Sequence, residues 1–248
     1  MNNKKIVLIY CVCMMVFLFG CGKEKTEDVI STTSEAEQIE TEQIETEQIE
    51  EEQVEEEQSY ESKVVSNPDG IGFEELPNDI QGLLIPIDSL LLYHVENGLE
   101  YVPNDPEMFW MVMHYAIVNF GESYNRAEFQ EYEVAAKSKV INEFASAIIS
   151  DLEEIPSIPD SLGGNIRYDS EEDLYFFSVG DRGLSQTEIL SYEYVDNNTL
   201  KIHARLFAMD DDSTIKKGDF VLTRNEYAAD VMEPLFHFSV SEVVFVEE

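Results

Sequence analysis

Glu188 to Ala208 reads EILSYEYVDNNTLKIHARLFA. Two runs rich in branched and aromatic residues, Glu188 to Val195 and Thr199 to Ala208, flank Asn197-Asn198. Such residues suit a half-buried pleated strand. Asparagine tolerates the positive φ of a tight hairpin turn. The stretch therefore predicts an antiparallel hairpin closed by a two-residue turn. That turn sets Tyr194 opposite Lys201, Tyr192 opposite His203 and Leu190 opposite Arg205. Val195 and Ile189 then share the other face with Leu200, Ile202, Ala204 and Leu206, which reads as core. The first face gathers Tyr192, Tyr194, Lys201, His203 and Arg205. Aromatic rings beside cations suit stacking and hydrogen bonding to sugars, peptides or anions. The alternative is a solvated face whose bases pair with neighbouring carboxylates.

Strand grammar continues on both sides of this hairpin. Asp219 to Arg224 and Phe236 to Val246 follow it, and Asn165 to Tyr168 with Leu174 to Val179 form a hairpin before it. Upstream of Gly163-Gly164 the pattern is helical. Asp105 can cap a helix with Pro106 in its first turn. Met108 to Val118 is apolar almost all round, as in a helix buried on most sides, and Gly121 ends it. A second, longer helix is expected from Asn125, where Glu128 completes a capping-box pair. It runs through Ile141, Phe144, Ala145, Ile148 and Leu152 until Pro156 and Pro159 stop it. A short helix is expected at Asp88 to Val95, closed by Asn97-Gly98. Helices first and antiparallel strands after make an α+β plan. The expectation is one domain over 71–248, with a curved antiparallel sheet of four to six strands and the second helix packed across it.

The chain carries 52 Asp and Glu against 15 Lys and Arg, a net charge of -37. Nucleic-acid binding neutralises phosphates with lysine and arginine, so nucleic acid is not an expected partner. The motifs of zinc proteases, serine hydrolases and phosphate-binding loops are missing. The four histidines are scattered, with no pair at helical spacing, and no metal site or cofactor is expected. His114 falls in the apolar helix as a satisfied core residue, and His237 alternates outward. Trp110 and His114 are the candidates for a pocket between helix and sheet, the site that an enzymatic reading requires. Gly180-Asp181-Arg182-Gly183 reads as a tight turn with Asp181 and Arg182 exposed, or else an anion nest. Glu171-Glu172-Asp173 and Asp210-Asp211-Asp212 read as solvated turns, or else weak calcium sites.

The N-terminal quarter has a different composition. Glu37 onward reads EQIETEQIETEQIEEEQVEEEQ, with Ile39, Ile44, Ile49 and Val54 five residues apart. Five residues turn an α-helix through about 500°, so these positions form no stripe. On a strand an odd period sends them to alternate faces. Residues 21–70 therefore read as a disordered acidic spacer, with a cation-binding tail as the alternative. A flexible segment of this length has a root-mean-square reach of roughly 40 Å.

Before the spacer, Met1 to Lys5 is basic and Ile6 to Phe19 is an uninterrupted apolar run. A membrane-spanning helix needs roughly twenty residues, whereas this run suits a secretory signal over 1–20. Leu18-Phe19-Gly20-Cys21 resembles the lipobox of bacterial lipoproteins, although Phe19 is bulkier than the residue usual there. The resemblance implies cleavage before Cys21 and a diacylglycerol on its sulfur. Two acyl chains hold a protein firmly to a membrane. The implied location is the outer face of the cytoplasmic membrane, with the membrane itself as a partner through lipidated Cys21. Cys11 and Cys13 leave with the signal, so the mature chain has no disulfide.

Tyr168 to Gly183, YDSEEDLYFFSVGDRG, resembles the uncharacterised extracytoplasmic domains of lipoproteins from Gram-positive gut bacteria. The helix-then-sheet order also resembles cone-shaped folds related to cystatin and nuclear transport factor 2. Fold alone licenses no function. The sequence thus points to a monomeric, membrane-anchored lipoprotein presenting a binding or accessory domain, with a cell-envelope glycan or peptide as candidate ligand. An extracytoplasmic enzyme and a structural envelope component are the alternatives.

Overall fold

The computed structural model describes residues 64–180, 182–230 and 233–246. The expected signal over 1–20, Cys21 and the glutamate repeat lie outside the described residues. Among these residues nine strands form two antiparallel sheets, and the fold is α+β. The larger sheet orders its strands β1 (Val64–Ile71), β6 (Ser185–Tyr194), β7 (Thr199–Ala208), β8 (Thr214–Arg224) and β9 (Phe238–Val246). The smaller runs β2 (Ala127–Gln130), β3 (Glu133–Lys137), β5 (Leu174–Ser178) and β4 (Ile166–Asp169). The short α1 (Asn78–Gln81) is followed by α2 (Leu84–Asn97), α3 (Pro106–Phe120) and α4 (Ser138–Ile148).

The helices lie between the sheets. α2 packs on β6, β7, β8 and β9 and on α3, while α3 packs on α2, α4, β3 and β5. This placement explains their composition. Every residue from Ile85 to Tyr93 is buried, and α3 buries Met108, Phe109, Trp110, Val112, Met113, Ala116 and Ile117. A helix with sheet on one side and helix on the other has little room for a polar face. Where α2 crosses the larger sheet, Gly218 of β8 pairs with buried Ala204 of β7. A Cβ on Gly218 would meet the Phe220 ring at 2.9 Å and Leu91 at 3.3 Å.

Several local signals work as the residues suggest. The Asp105 carboxylate accepts from Glu107 N at 2.9 Å, with Pro106 in the first turn. Gly98 closes α2 in the left-handed region at φ 66°, its N–H donating to His94 O. Gly121 serves α3 differently from expectation: its φ is -55°. It is glycine because a Cβ would meet Ile117 O at 2.6 Å and Ala127 at 2.8 Å. The left-handed residue after α3 is Asn125, at φ 56°.

Three expectations need correction. The helix expected from Asn125 starts at Ser138, and 127–137 is a hairpin. Asn125 in the left-handed region cannot open a helix, and Val134-Ala135-Ala136 pairs on both sides, with β2 and with Phe177-Phe176-Tyr175 of β5. Tertiary pairing overrides helix propensity here. The helix laid across the larger sheet is α2, not the one ending near Leu152. Finally, Val64–Gly70, assigned to the spacer, is strand β1, paired with β6 and placing Val65 against the core. Among the described residues no helix is long and apolar enough to cross a membrane.

Candidate functional site

The central hairpin forms, but with a three-residue loop. Val195 N donates to Thr199 O at 2.9 Å, and Tyr194 pairs with Leu200 rather than Lys201. A one-residue change of register moves a strand's side chains to the opposite face. Tyr192 and Tyr194 accordingly pack against the core, their rings edge-on at 5.9 Å. Tyr194 Oη donates to Asp79 Oδ1 at 2.9 Å. Lys201, His203 and Arg205 are on the outer face. Lys201 is exposed opposite Glu193, and His203 Nδ1 lies 2.7 Å from Asp219 Oδ1. Arg205 bonds Glu188, Asp212 at 3.2 Å and Thr214 at 3.4 Å. The five candidates therefore do not share a surface, and His203 and Arg205 engage neighbouring carboxylates. Leu200, Ile202, Ala204, Leu206 and Ile189 are core as expected, whereas Val195 is exposed.

Trp110 and His114 are packed in the interior. Trp110 is 1% exposed and stacks on Tyr175 at 5.3 Å, and its Nε1 donates to Pro156 O at 3.0 Å. His114 Nε2 is 2.7 Å from Ser178 O, and the ring stacks on Phe177. Arg182, expected to be exposed, turns inward and bonds Asp88 of α2 at 2.6 Å. The acidic turns satisfy their own backbone: Asp169 accepts from Glu171 N, and Asp211 from Ser213 N. Among the described residues no three His, Cys, Asp or Glu side chains are grouped to hold a metal ion.

Two open spaces lie elsewhere, along α4. Its apolar face (Val140, Ile141, Phe144, Ala145, Ala147 and Ile148) is buried. The opposite stripe is Lys139, Asn142, Glu143 and Ser146, at the i, i+3, i+4 and i+7 spacing of one helix face. A cavity of about 970 Å³ takes in Asn142 and Ser146 and continues over the segment after α4 and over Asn198, Thr223–Ala228, Pro234, His237 and Ser239. A second, of about 660 Å³, is floored by Lys139, Val140 and Glu143 and walled by Arg126, Glu128 and Lys137. Tyr227 lines both, and is 37% exposed.

Buried polar contacts fix this groove in shape. Asn225, 4% exposed, donates to Ser146 Oγ at 3.0 Å and to Phe236 O at 3.2 Å, and accepts from Tyr227 N at 3.0 Å. One amide thereby ties α4, the approach to β9 and the Tyr227 turn together. Glu143 takes a two-point bond from Arg126, at 2.7 and 3.2 Å, and accepts from Leu235 N at 3.4 Å. Burial pushes the Tyr227 phenol above its ordinary pKa, and the Glu143 carboxylate adds to this. On the far wall, Ser150 N donates to Val240 O at 2.9 Å, and Trp110 holds Pro156. Asp151, at φ 59°, turns the chain out of α4. A groove held by bonds within its own walls is set before a ligand arrives, which lowers the ordering cost of binding. Nothing in the sequence marked it, because its residues come from six separate segments and match no motif.

No family model, curated protein or solved structure matches this chain.

Proposed function

We propose that this chain is a lipid-anchored extracytoplasmic lipoprotein whose α+β domain is a binding module, with its ligand lying along α4. The observation that carries the binding reading is the pair of cavities that share the α4 polar stripe and Tyr227. Ligand sites are concave and carry a few convergent polar groups beside apolar surface. This groove offers amides, hydroxyls and charges of both signs around one half-open aromatic ring. The anchoring part rests on Leu18-Phe19-Gly20-Cys21 and the acidic repeat after it.

Two measurements test the proposal. Radiolabelled palmitate should enter the wild-type chain in bacterial cells and not Cys21→Ala, and equal labelling would refute lipidation. For the groove, Asn142→Trp places a bulky ring in the cavity from an exposed helix position. Calorimetry of the full chain against a muramidase digest of cell wall should give heat with wild type and none with the variant, at unchanged melting temperature. Identical titrations would refute the groove as the binding site.

A further inference from the structure

The larger cavity along α4 divides by burial into a charged mouth and an uncharged floor. Asp151, Glu153, Glu154, Arg224 and Glu226 line it, and all five are exposed. Ions in that position stay hydrated, and pairing with them contributes little. The buried and half-buried polar residues of the lining are Ser146, Ser150, Thr223, Asn225, His237 and Ser239. They are hydroxyls, an amide and an imidazole. Ser146 and Asn225 belong to the frame, joined at 3.0 Å, with the second Asn225 N–H donated to Phe236 O. The side chains of Ser150, Thr223, His237 and Ser239, and of Asn142 and Asn198 nearer the mouth, make no hydrogen bond among the described residues. Ser239 decides the argument. It is 4% exposed, and a hydroxyl buried that far is ordinarily hydrogen-bonded. Its Oγ has no such partner among the described residues and opens on the cavity, so only an occupant of the cavity can satisfy it. The pairing of β8 with β9 sets Thr223 opposite Ser239, which places two hydroxyl side chains next to each other, about 5 Å apart at Cβ.

We propose that the larger cavity takes an uncharged oligosaccharide, with hydroxyls on the Thr223–Ser239 floor and one sugar ring against Tyr227. This rests on the reading of the groove as a binding site and names the class of its ligand. A sugar hydroxyl both donates and accepts, and so do the unpartnered hydroxyl and amide side chains here. A carboxylate, phosphate or ammonium brought to this floor would lose its water and meet no counter-ion, which is costly. An uncharged polyol has no such cost. The Tyr227 ring, 37% exposed, gives an apolar face with a polar tip, the complement of a pyranose with its C–H face and hydroxyl edge. A volume of about 970 Å³ stands near the top of the roughly 300–1,000 Å³ range of small-molecule sites, so more than one ring fits. An extended peptide would need a free sheet edge to pair its backbone. The β9 edge beside the cavity is not free, because Val240 O already accepts from Ser150 N at 2.9 Å and from Tyr101 Oη at 3.1 Å.

The test is a printed array probed with the full chain, followed by calorimetry on the strongest spots. The array carries uncharged hexose and N-acetylhexosamine oligomers beside uronic-acid, sulfated and glucosamine oligomers and acidic and basic octapeptides. Binding is expected on the uncharged spots alone. Its affinity should change by less than about twofold between 0.05 and 0.5 M salt, because no charge pair forms that salt could screen. Ser239→Ala should weaken it about fivefold, as loss of one hydrogen bond does, at unchanged melting temperature because that hydroxyl holds nothing in the fold. Tyr227→Ala should weaken it about tenfold, and Tyr227→Phe, which keeps the ring, should stay within about twofold of wild type. Binding confined to charged oligosaccharides or to peptides would overturn the proposal. So would an affinity that falls tenfold in 0.5 M salt, or a Ser239→Ala chain that binds as wild type does. A silent array, with the heat of the cell-wall digest still abolished by Asn142→Trp, would overturn the glycan class and keep the groove. Silence of both would overturn both.

Discussion

Asp88 and Arg182 form an ion pair whose two halves should respond very differently to removal. The Asp88 side chain is 2% exposed and the Arg182 side chain 25%. Among the described residues Asp88 Oδ2 and Arg182 Nε have no hydrogen-bond partner, and the Thr187 side chain helps to hold the Asp88 carboxyl down. Burial pushes the Asp88 carboxyl above its ordinary value of 3.8, and the Arg182 guanidinium pulls it part of the way back. Arg182→Ala strands a buried carboxylate, a change that costs about 3–5 kcal/mol. At roughly 2–4 °C per kcal/mol for a domain of this size, the melting temperature should fall by about 10 °C. Asp88→Asn keeps an acceptor for the guanidinium, which can also reach water. It should cost about 1 kcal/mol, the worth of one hydrogen bond. The sign of the pH effect follows from linkage. A carboxyl whose folded pKa is raised holds a proton that the unfolded chain has lost, so stability rises as pH falls through the folded pKa. Loss of Arg182 raises that pKa further, so the deficit of Arg182→Ala should shrink between pH 7 and pH 5. Urea unfolding of wild type and both variants at the two pH values measures all of this. Equal costs for the two variants, or an Arg182→Ala deficit that does not change with pH, would refute the account.

Removing residues 1–61 should leave the melting temperature within a degree or two, while removing 1–70 also deletes most of β1 and should cost about 2 kcal/mol. That figure is the burial of one valine side chain, and Val65 is the β1 residue packed on the core; scanning calorimetry on the two truncations separates the outcomes. Gly82→Ala should destabilise by about 1–3 kcal/mol, because its Cβ would lie 2.3 Å from Leu235 O, and a neutral result by urea unfolding would refute that packing. Tyr194→Phe removes the hydrogen bond to Asp79 and should cost about 1 kcal/mol, whereas Lys201→Ala on the outer face should stay within about 0.5 kcal/mol. Equal losses by the same assay would show that the hairpin has the other register.

What could be read from the residues alone was whatever depended on one segment at a time. The cap at Asp105, the left-handed Gly98 and the inward set Leu200, Ile202, Ala204 and Leu206 each follow from local sterics or from period-2 alternation. What could not be read was whatever depended on a count or on a distant partner. Asp196-Asn197-Asn198 and Asn197-Asn198 are equally acceptable loops by composition, yet they differ by one residue. That residue decides whether Tyr192 and Tyr194 stand with Lys201 or with Val65. Register in a hairpin is set by turn length and by what lies beneath the sheet. Here α2 lies beneath it, and its position depends on Ala204 and Gly218 leaving room. The same holds for β3, whose alanines favour helix in isolation but lie between β2 and β5. The groove is the extreme case. Asn225 is an ordinary loop asparagine by sequence, and only the folded chain brings it against Ser146, Phe236 and Tyr227 at once. A site built from such convergences leaves no trace in the sequence, because none of its residues is unusual in its own segment and the first residue of α4 is Ser138 only once the hairpin over residues 127–137 has formed.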